Sequence, residues 1–384
     1  MSESHGLLWS LAHIIGYIWD RLTFIPWYML TDAGEKLRLA NRAKSVPVNG
    51  KVDGHWKSGD TERLVETYYR KKTMDAIFSN TCKKFTNCPA LGTRELLSEV
   101  DEKQPNGKIF KKAIYGDYKW QTFGEIDSKV DDFARGLSSL GIRRVAIFME
   151  TRADWMIAAQ ACFRHNIRII TVYATLGEAA VNDALIEAET EHLITSASLV
   201  DSKLGAILVN NKDLKTVIYA AHENPSQKIK FKKPEDSKLD VCTYNEIYEM
   251  GQNTTIKAPE PPKPETIAVI MYTSGTSGKA KGVMISQANI VAACSGIGER
   301  LQVYERFSPK DCFIGYLPLA HILEFAAENC VLFNGARVGY SSPLTLSDRS
   351  TRIKKGSKGD CSVLKPTLMV SVPEILERIR KGKL

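Results

Sequence analysis

From Val145 onward, short continuous apolar runs alternate with stretches of helical periodicity. Val145 to Met149, Ile167 to Tyr173, His192 to Thr195 and Thr216 to Tyr219 read as buried strands. The stretches Arg152 to Arg164, Leu176 to Glu189 and Leu199 to Val209 between them read as helices. Before this series, Thr122 offers an N-cap with Glu125 as its capping-box partner, predicting a helix to about Leu140 that Gly141 ends. Ile109 to Tyr118 reads as one or two short strands. Strands without polar alternation, separated by helices, predict βαβ units: an α/β fold of mostly parallel sheets flanked by helices. Ligands on such sheets bind beyond the carboxyl ends of the strands.

Elsewhere the pattern sets boundaries. Residues 221–240 are polar and lysine-rich, and Ala258-Pro-Glu-Pro-Pro-Lys-Pro264 is a Pro-rich connector. The division predicted is residues 1–34 as a membrane anchor, 35–108 as a basic lead-in, 109–257 as a first α/β subdomain, 258–265 as the connector and 266–384 as a second subdomain. The N-terminal stretch is apolar from Gly6 to Trp19 and again from Leu22 to Leu30. Together these could cross a hydrocarbon core, which needs about 20 apolar residues. Asp20 and Arg21 divide the stretch, each costly at bilayer depth, and Pro26 breaks its second part. Trp9, Tyr17, Trp19, Trp27 and Tyr28 suit the headgroup region. An interfacial helix or shallow hairpin, a tilted span, a cleaved signal peptide and a helix packed in the core all remain open here. Membrane association is the expectation, with the basic residues on the C-terminal side placing the main body in the cytosol.

Composition narrows the function classes. Of 384 residues, 43% are hydrophobic and 25% charged, an ordinary globular mixture that excludes disorder of the whole chain. The net charge of +8 is spread along the chain, with no basic stripe interleaved with aromatics, so no nucleic-acid partner is expected. The eight cysteines show neither a CxxC pair nor ligand-like spacing with histidine, which argues against a zinc site or disulfide scaffold.

The candidate chemistry follows the apolar run Ile267 to Met271. The next twelve residues, Tyr272 to Val283, hold three glycines, four Ser or Thr hydroxyls and two lysines. Glycines let a loop present its backbone N–H groups to an anion, hydroxyls add donors, and a lysine supplies compensating charge. Those are the requirements for binding a polyphosphate. A Walker A loop is excluded, because Lys279 is followed by Ala280 and Thr273 stands where that motif needs glycine. A flexible surface turn is the plainer alternative.

This run resembles the phosphate-binding signature of the adenylate-forming superfamily, which includes acyl-CoA synthetases, luciferases and peptide-synthetase adenylation domains. Ser277 stands where Thr is commoner and Ala280 where Pro is usual. The resemblance implies that Thr273, Ser274, Gly275, Thr276, Ser277, Gly278, Lys281 and Gly282 hold the ATP phosphates, with the Thr273 hydroxyl also at Mg²⁺. Tyr316-Leu-Pro-Leu-Ala-His321-Ile-Leu-Glu324 is similar to the superfamily's second core motif, which implies that His321 lines the acyl pocket. Thr171 to Glu178, Gly339 to Pro343, Ile353 to Asp360 and Lys365 to Glu374 look like long-chain acyl-CoA synthetases, most of all the animal subgroup of isoforms three and four. The implied activity is ATP-dependent activation of long-chain fatty acids, first as acyl adenylates and then as CoA thioesters. The implied address is a cytosol-facing membrane: endoplasmic reticulum first, with lipid droplet, peroxisome and mitochondrial outer membrane as alternatives.

Three expectations complete the reading. His321 alone could equally be a packed or capping side chain. Glu324 and Glu328, one turn apart on the same predicted helix, read as a solvated face rather than a metal pair. The superfamily's later motifs are not found, and the chain stops in mid-pattern after a predicted strand Thr367 to Val372 and a helix. It therefore reads as the superfamily's large N-terminal domain, incomplete, with little thioester synthesis expected of it alone. The rival readings are a non-catalytic membrane-associated fragment that binds fatty acid or partners, and another adenylate-forming enzyme.

Overall fold

The computed structural model describes residues 3–30, 34, 37, 45–50, 53–54, 56–58, 67–103, 109–211, 213–224, 226–233, 237–273, 281–302 and 307–381. The chain divides into two units, Met1–Leu64 with Arg300–Arg306, and Val65–Glu299 with Phe307–Leu384.

In the smaller unit, helix α1 (Glu3–Leu30) runs unbroken through Pro26. The expected break there does not occur: the missing N–H costs one hydrogen bond, and the fixed φ of proline is itself helical. At 1.5 Å per residue the helix is about 42 Å long. Among its described side chains, Trp9, Ile14, Tyr17, Trp19 and Leu22 face solvent. Strands β1 (Ser45–Pro47) and β2 (Trp56–Ser58) pair antiparallel in the same unit. Among the described residues no helix is long and apolar enough to cross a membrane.

The larger unit begins with α2 (Met74–Lys84), then the long strands β3 (Pro89–Lys103) and β4 (Ile109–Thr122), paired antiparallel. α3 (Phe123–Ser139) carries the expected capping box: Thr122 Oγ1 accepts from the Glu125 amide, and Glu125 Oε2 accepts from the Thr122 amide. Gly141, at φ +70°, turns the chain out of it. The series continues as β5 (Arg144–Phe148), α4 (Ala153–Arg164), β6 (Arg168–Val172), α5 (Glu178–Glu187) and β7 (His192–Ser196). A helical stretch α6 over 197–210, with a π turn inside it, leads to β8 (Thr216–Ala220) and β9 (Asp240–Thr243). α7 (Tyr244–Asn253) starts with a second capping box, Thr243 with Glu246. Beyond the connector come β10 (Ile267–Thr273), β11 (Lys281–Ser286), α8 (Gln287–Gln302), β12 (Cys312–Gly315), α9 (Ile322–Phe333) and β13 (Arg337–Tyr340). α10 (Asp360–Leu364) and α11 (Pro373–Arg380) follow.

Seven strands form one sheet in the order β11-β10-β6-β5-β7-β8-β9, and four form another in the order β12-β13-β3-β4. Only β11 runs antiparallel in the first sheet, and only β4 in the second. The mostly parallel α/β architecture stands, while strand pairing cuts across the division at the Pro-rich connector. β10 joins the sheet built by 144–243, and β3, from within the lead-in, joins β12 and β13. Sequence order and sheet membership part here because a pairing partner is chosen by buried surface, not by position along the chain. The expected strand at Thr367 to Val372 forms only one bridge, Leu368 with Phe313. The core is continuous across the α3, α4 and α9 layer, where Trp155, Phe163 and Phe325 meet edge to face or tilted.

Candidate functional site

β10 lies parallel to β6, with Met271 opposite Thr171, so Thr273 stands at the carboxyl edge of the sheet. Returning antiparallel, β11 places Lys281 opposite Thr273 and Gly282 opposite Tyr272. The run that joins them, which holds Ser274, Gly275, Thr276, Ser277 and Gly278, lies outside the described residues. Thr273 and Lys281 are exposed. The base of the loop is fixed below them. Tyr272 is buried and its hydroxyl donates to the Ala184 carbonyl at 3.3 Å. Burial, with Glu187 beside it, pushes that phenol up to about 12, so it stays a neutral donor. A Cβ at Gly282 would come within 2.9 Å of Ile270 Cγ2 and 3.4 Å of the Tyr272 ring. Glycine is needed there for the packing of the hairpin base.

The second predicted element reaches the same edge. After β12 the chain turns through Tyr316 to His321 and enters α9. The turn is bound to the carboxyl ends of β5 and β6. Thr151 Oγ1 donates to the Leu317 carbonyl at 2.6 Å and accepts from the Leu319 amide at 3.0 Å. Thr171 Oγ1 donates to the Ala320 carbonyl at 3.1 Å. His321 is exposed and caps α9, its Nδ1 accepting from the Leu323 amide at 3.1 Å. An Nδ1 that accepts leaves the proton on Nε2. The capping role foreseen as one alternative is thus present, and it leaves Nε2 free to meet a ligand.

One expectation changes. Glu324 and Glu328 do not form a solvated face: both are fully buried. From Glu324 to Phe333 α9 is covered all round, which no periodicity of charged residues reveals. In the Ile353 to Asp360 run, Ile353, Gly359 and Asp360 are buried, while Lys355, Gly356 and Lys358 are exposed. Asp360 is buried and accepts from Arg94 Nη1 at 2.8 Å, from Ser341 Oγ at 2.6 Å and from Thr345 Oγ1. Thr151, in the bend after β5, reads as an ordinary loop hydroxyl, and Thr171, inside β6, looks like one more β-branched strand residue. All eight cysteines are free, and among the described residues no cluster of three or more His, Cys, Asp or Glu could hold a metal. A cleft of about 420 Å³ beside β8 and β9, lined by Tyr219, Phe231 and Leu239, includes none of these residues.

Comparison with known proteins decides the family. The description "AMP-binding enzyme" matches residues 99–384. The chain belongs to the AMP-binding enzyme family. Long chain acyl-CoA synthetase 8 of Arabidopsis thaliana is 41% identical over 315 residues, covering 81% of this chain and 43% of that protein. Long-chain-fatty-acid–CoA ligase 1 of Schizosaccharomyces pombe is 32% identical over 363 residues, covering 90% of this chain and 52% of that protein. The chain thus spans about half the length of these AMP-binding relatives. Among solved structures, the adenylation domain of a carboxylate reductase from Mycobacterium chelonae superposes with a TM-score of 0.63 at 16% identity, over 81% of this chain and 47% of that one. The o-succinylbenzoate coenzyme A synthetase of Bacillus subtilis in complex with AMP gives 0.54 at 18% identity, over 80% of this chain and 64% of that one. These likenesses establish the α/β fold.

Proposed function

We propose that this chain supplies the triphosphate-binding and acyl-facing part of an enzyme that activates long-chain fatty acids with ATP, first as acyl adenylates and then as CoA thioesters. One observation carries the reading: Thr273 and Lys281 stand opposite each other at the carboxyl edge of a parallel sheet, bracketing a loop rich in glycine and hydroxyl groups. Parallel sheets bind ligands at that edge. Attack of a carboxylate on the α-phosphorus needs neutralised charge and in-line placement more than covalent help. In this reading the amides and hydroxyls from Ser274 to Gly278 cradle the β and γ phosphates, and Lys281 adds positive charge. Mg²⁺ prefers oxygen ligands, and Thr273 Oγ1 would be the protein oxygen to hold it, where it would neutralise phosphate charge. The Tyr316 to His321 turn presents His321 to the fatty carboxylate.

The test is nucleotide affinity, not turnover. Calorimetric titration of the chain with Mg·ATP should show binding that Gly275→Val and Gly278→Val each weaken by about tenfold or more, the worth of one or two lost charge-assisted hydrogen bonds. Unchanged affinity in both variants would remove the loop from the site.

For α1 we propose an interfacial role on a cytosol-facing membrane, the endoplasmic reticulum first. Its exposed Trp9, Tyr17, Trp19 and Tyr28 support this, because amphipathic rings favour the headgroup layer. Co-sedimentation with phosphatidylcholine vesicles should be lost on deleting residues 1–34; equal sedimentation of both forms would refute it.

A further inference from the structure

The fold takes Glu324 and Glu328 out of water completely, both at 0% exposure, one turn apart on α9. Each carboxyl is half used. Glu324 Oε1 accepts from the Tyr316 amide at 3.1 Å, and the nearby Leu317 amide also favours the charged form of this carboxyl. Glu328 Oε2 accepts from the Tyr340 hydroxyl at 3.0 Å. The other two oxygens, Glu324 Oε2 and Glu328 Oε1, are buried and have no hydrogen-bond partner. Glu328 Oε1 sits tight against β12, where a Cβ on Gly315 would come within 2.7 Å of it.

Among the described residues no lysine or arginine compensates either group: what acts on Glu324 is burial and two backbone amides, and on Glu328 burial, Glu324 and Tyr340. Two carboxylates left ionised here would repel one another, and each would forgo its hydration. Burial accordingly pushes Glu324 up to about 8, and burial together with the charge of Glu324 raises Glu328 well above the usual carboxylate range. The titratable groups that face the pair are the Tyr316 and Tyr340 phenols, and burial keeps both of those protonated.

We propose that Glu324 and Glu328 together keep at least one proton at neutral pH, and that this carboxyl pair positions the Tyr316 to His321 turn. The geometry explains the consequence. Through Glu324 the pair grips the exit of β12, and through Glu328 and Tyr340 it grips the end of β13. α9 is thereby locked to the carboxyl ends of both strands, and the turn between β12 and α9 is left one conformation, which Thr151 and Thr171 seat on β5 and β6. Glu324 is a positioning residue in this account, acting on ligand through His321; only that last clause rests on the proposed acyl site.

Glutamine separates the alternatives. Gln at 324 keeps an oxygen for the Tyr316 amide and offers an N–H where the proton stood, whereas Ala offers neither. Hydrogen exchange at the Tyr316 and Leu317 amides should accelerate by roughly tenfold or more in Glu324→Ala, the loss of one or two hydrogen bonds, and stay near the parent rate in Glu324→Gln. Infrared spectra at pH 7 should show a protonated-carboxyl carbonyl band that loses intensity in Glu324→Gln. Absence of that band in the parent chain, or unchanged exchange in Glu324→Ala, overturns the proposal. Binding of cis-parinaric acid, a fluorescent fatty acid, should weaken in Glu324→Ala and recover in Glu324→Gln; equal binding by all three overturns the positioning role. If the parent chain binds no parinaric acid, the acyl-site reading fails, while exchange and infrared data still judge the pair.

Discussion

Gly136 on α3 and Gly251 on α7 set how closely those two helices approach. A Cβ at Gly251 would come 1.8 Å from the Asp132 carbonyl oxygen, and one at Gly136 would come 2.1 Å from that of Ile247. Both neighbours are backbone, so neither can swing aside. Gly251→Ala should therefore destabilise the chain by about 3 kcal/mol, the upper range for overpacking, in urea unfolding. Gly296→Ala on α8, where nothing lies within 4 Å, is the control and should stabilise by up to about 1 kcal/mol. A neutral Gly251→Ala would mean that the helices part without cost. At this scale legibility was uneven. Thr122 with Glu125 could be read directly, because a capping box is a local exchange of hydrogen bonds three residues apart. Gly251, Thr151, Thr171 and the buried state of Glu324 could not, because the groups that constrain them are distant in the chain.

Among the elements, β5 to β8 and the helices between them stood within a residue or two of their expected places. A fully buried parallel strand must be apolar throughout, and its helix must show one apolar face, so the alternation is legible without any partner. β3 was missed for the complementary reason: beyond Gly92 it alternates buried or half-buried residues with exposed charges such as Glu95 and Asp101, and Ser98 and Glu99 interrupt the pattern. Its strand character comes from the ladder to β4. The predicted strand at Thr367 to Val372 failed for lack of a ladder: beside β12 it makes one bridge, and then proline at 373 opens α11. The ends of the glycine-rich hairpin loop are the most informative part. A strand followed by a hydroxyl-rich glycine loop was legible, and only β11 shows that the loop returns antiparallel, so that Lys281 faces Thr273.

Taken whole, the larger unit is interleaved. Cutting after residue 257 would remove β10 and β11 from one sheet and both β12 and β13 from the other. A chain of residues 65–257 should then lose its cooperative thermal transition by circular dichroism and bind a hydrophobic dye, because apolar faces of β3, β6 and α4 are left uncovered. A sharp transition at the temperature of the parent chain would show instead that this segment is an independent domain. By itself the sequence determined the α/β class, the order of the central elements, the position of the loop and the family resemblance, all properties of local periodicity or of contiguous residues. Tertiary structure alone decided which strands share a sheet, that the Tyr316 to His321 turn rests on Thr151 and Thr171, and that two glutamates face the interior. Those depend on long-range burial, where the free energy of removing a group from water is set by neighbours that the local sequence does not contain.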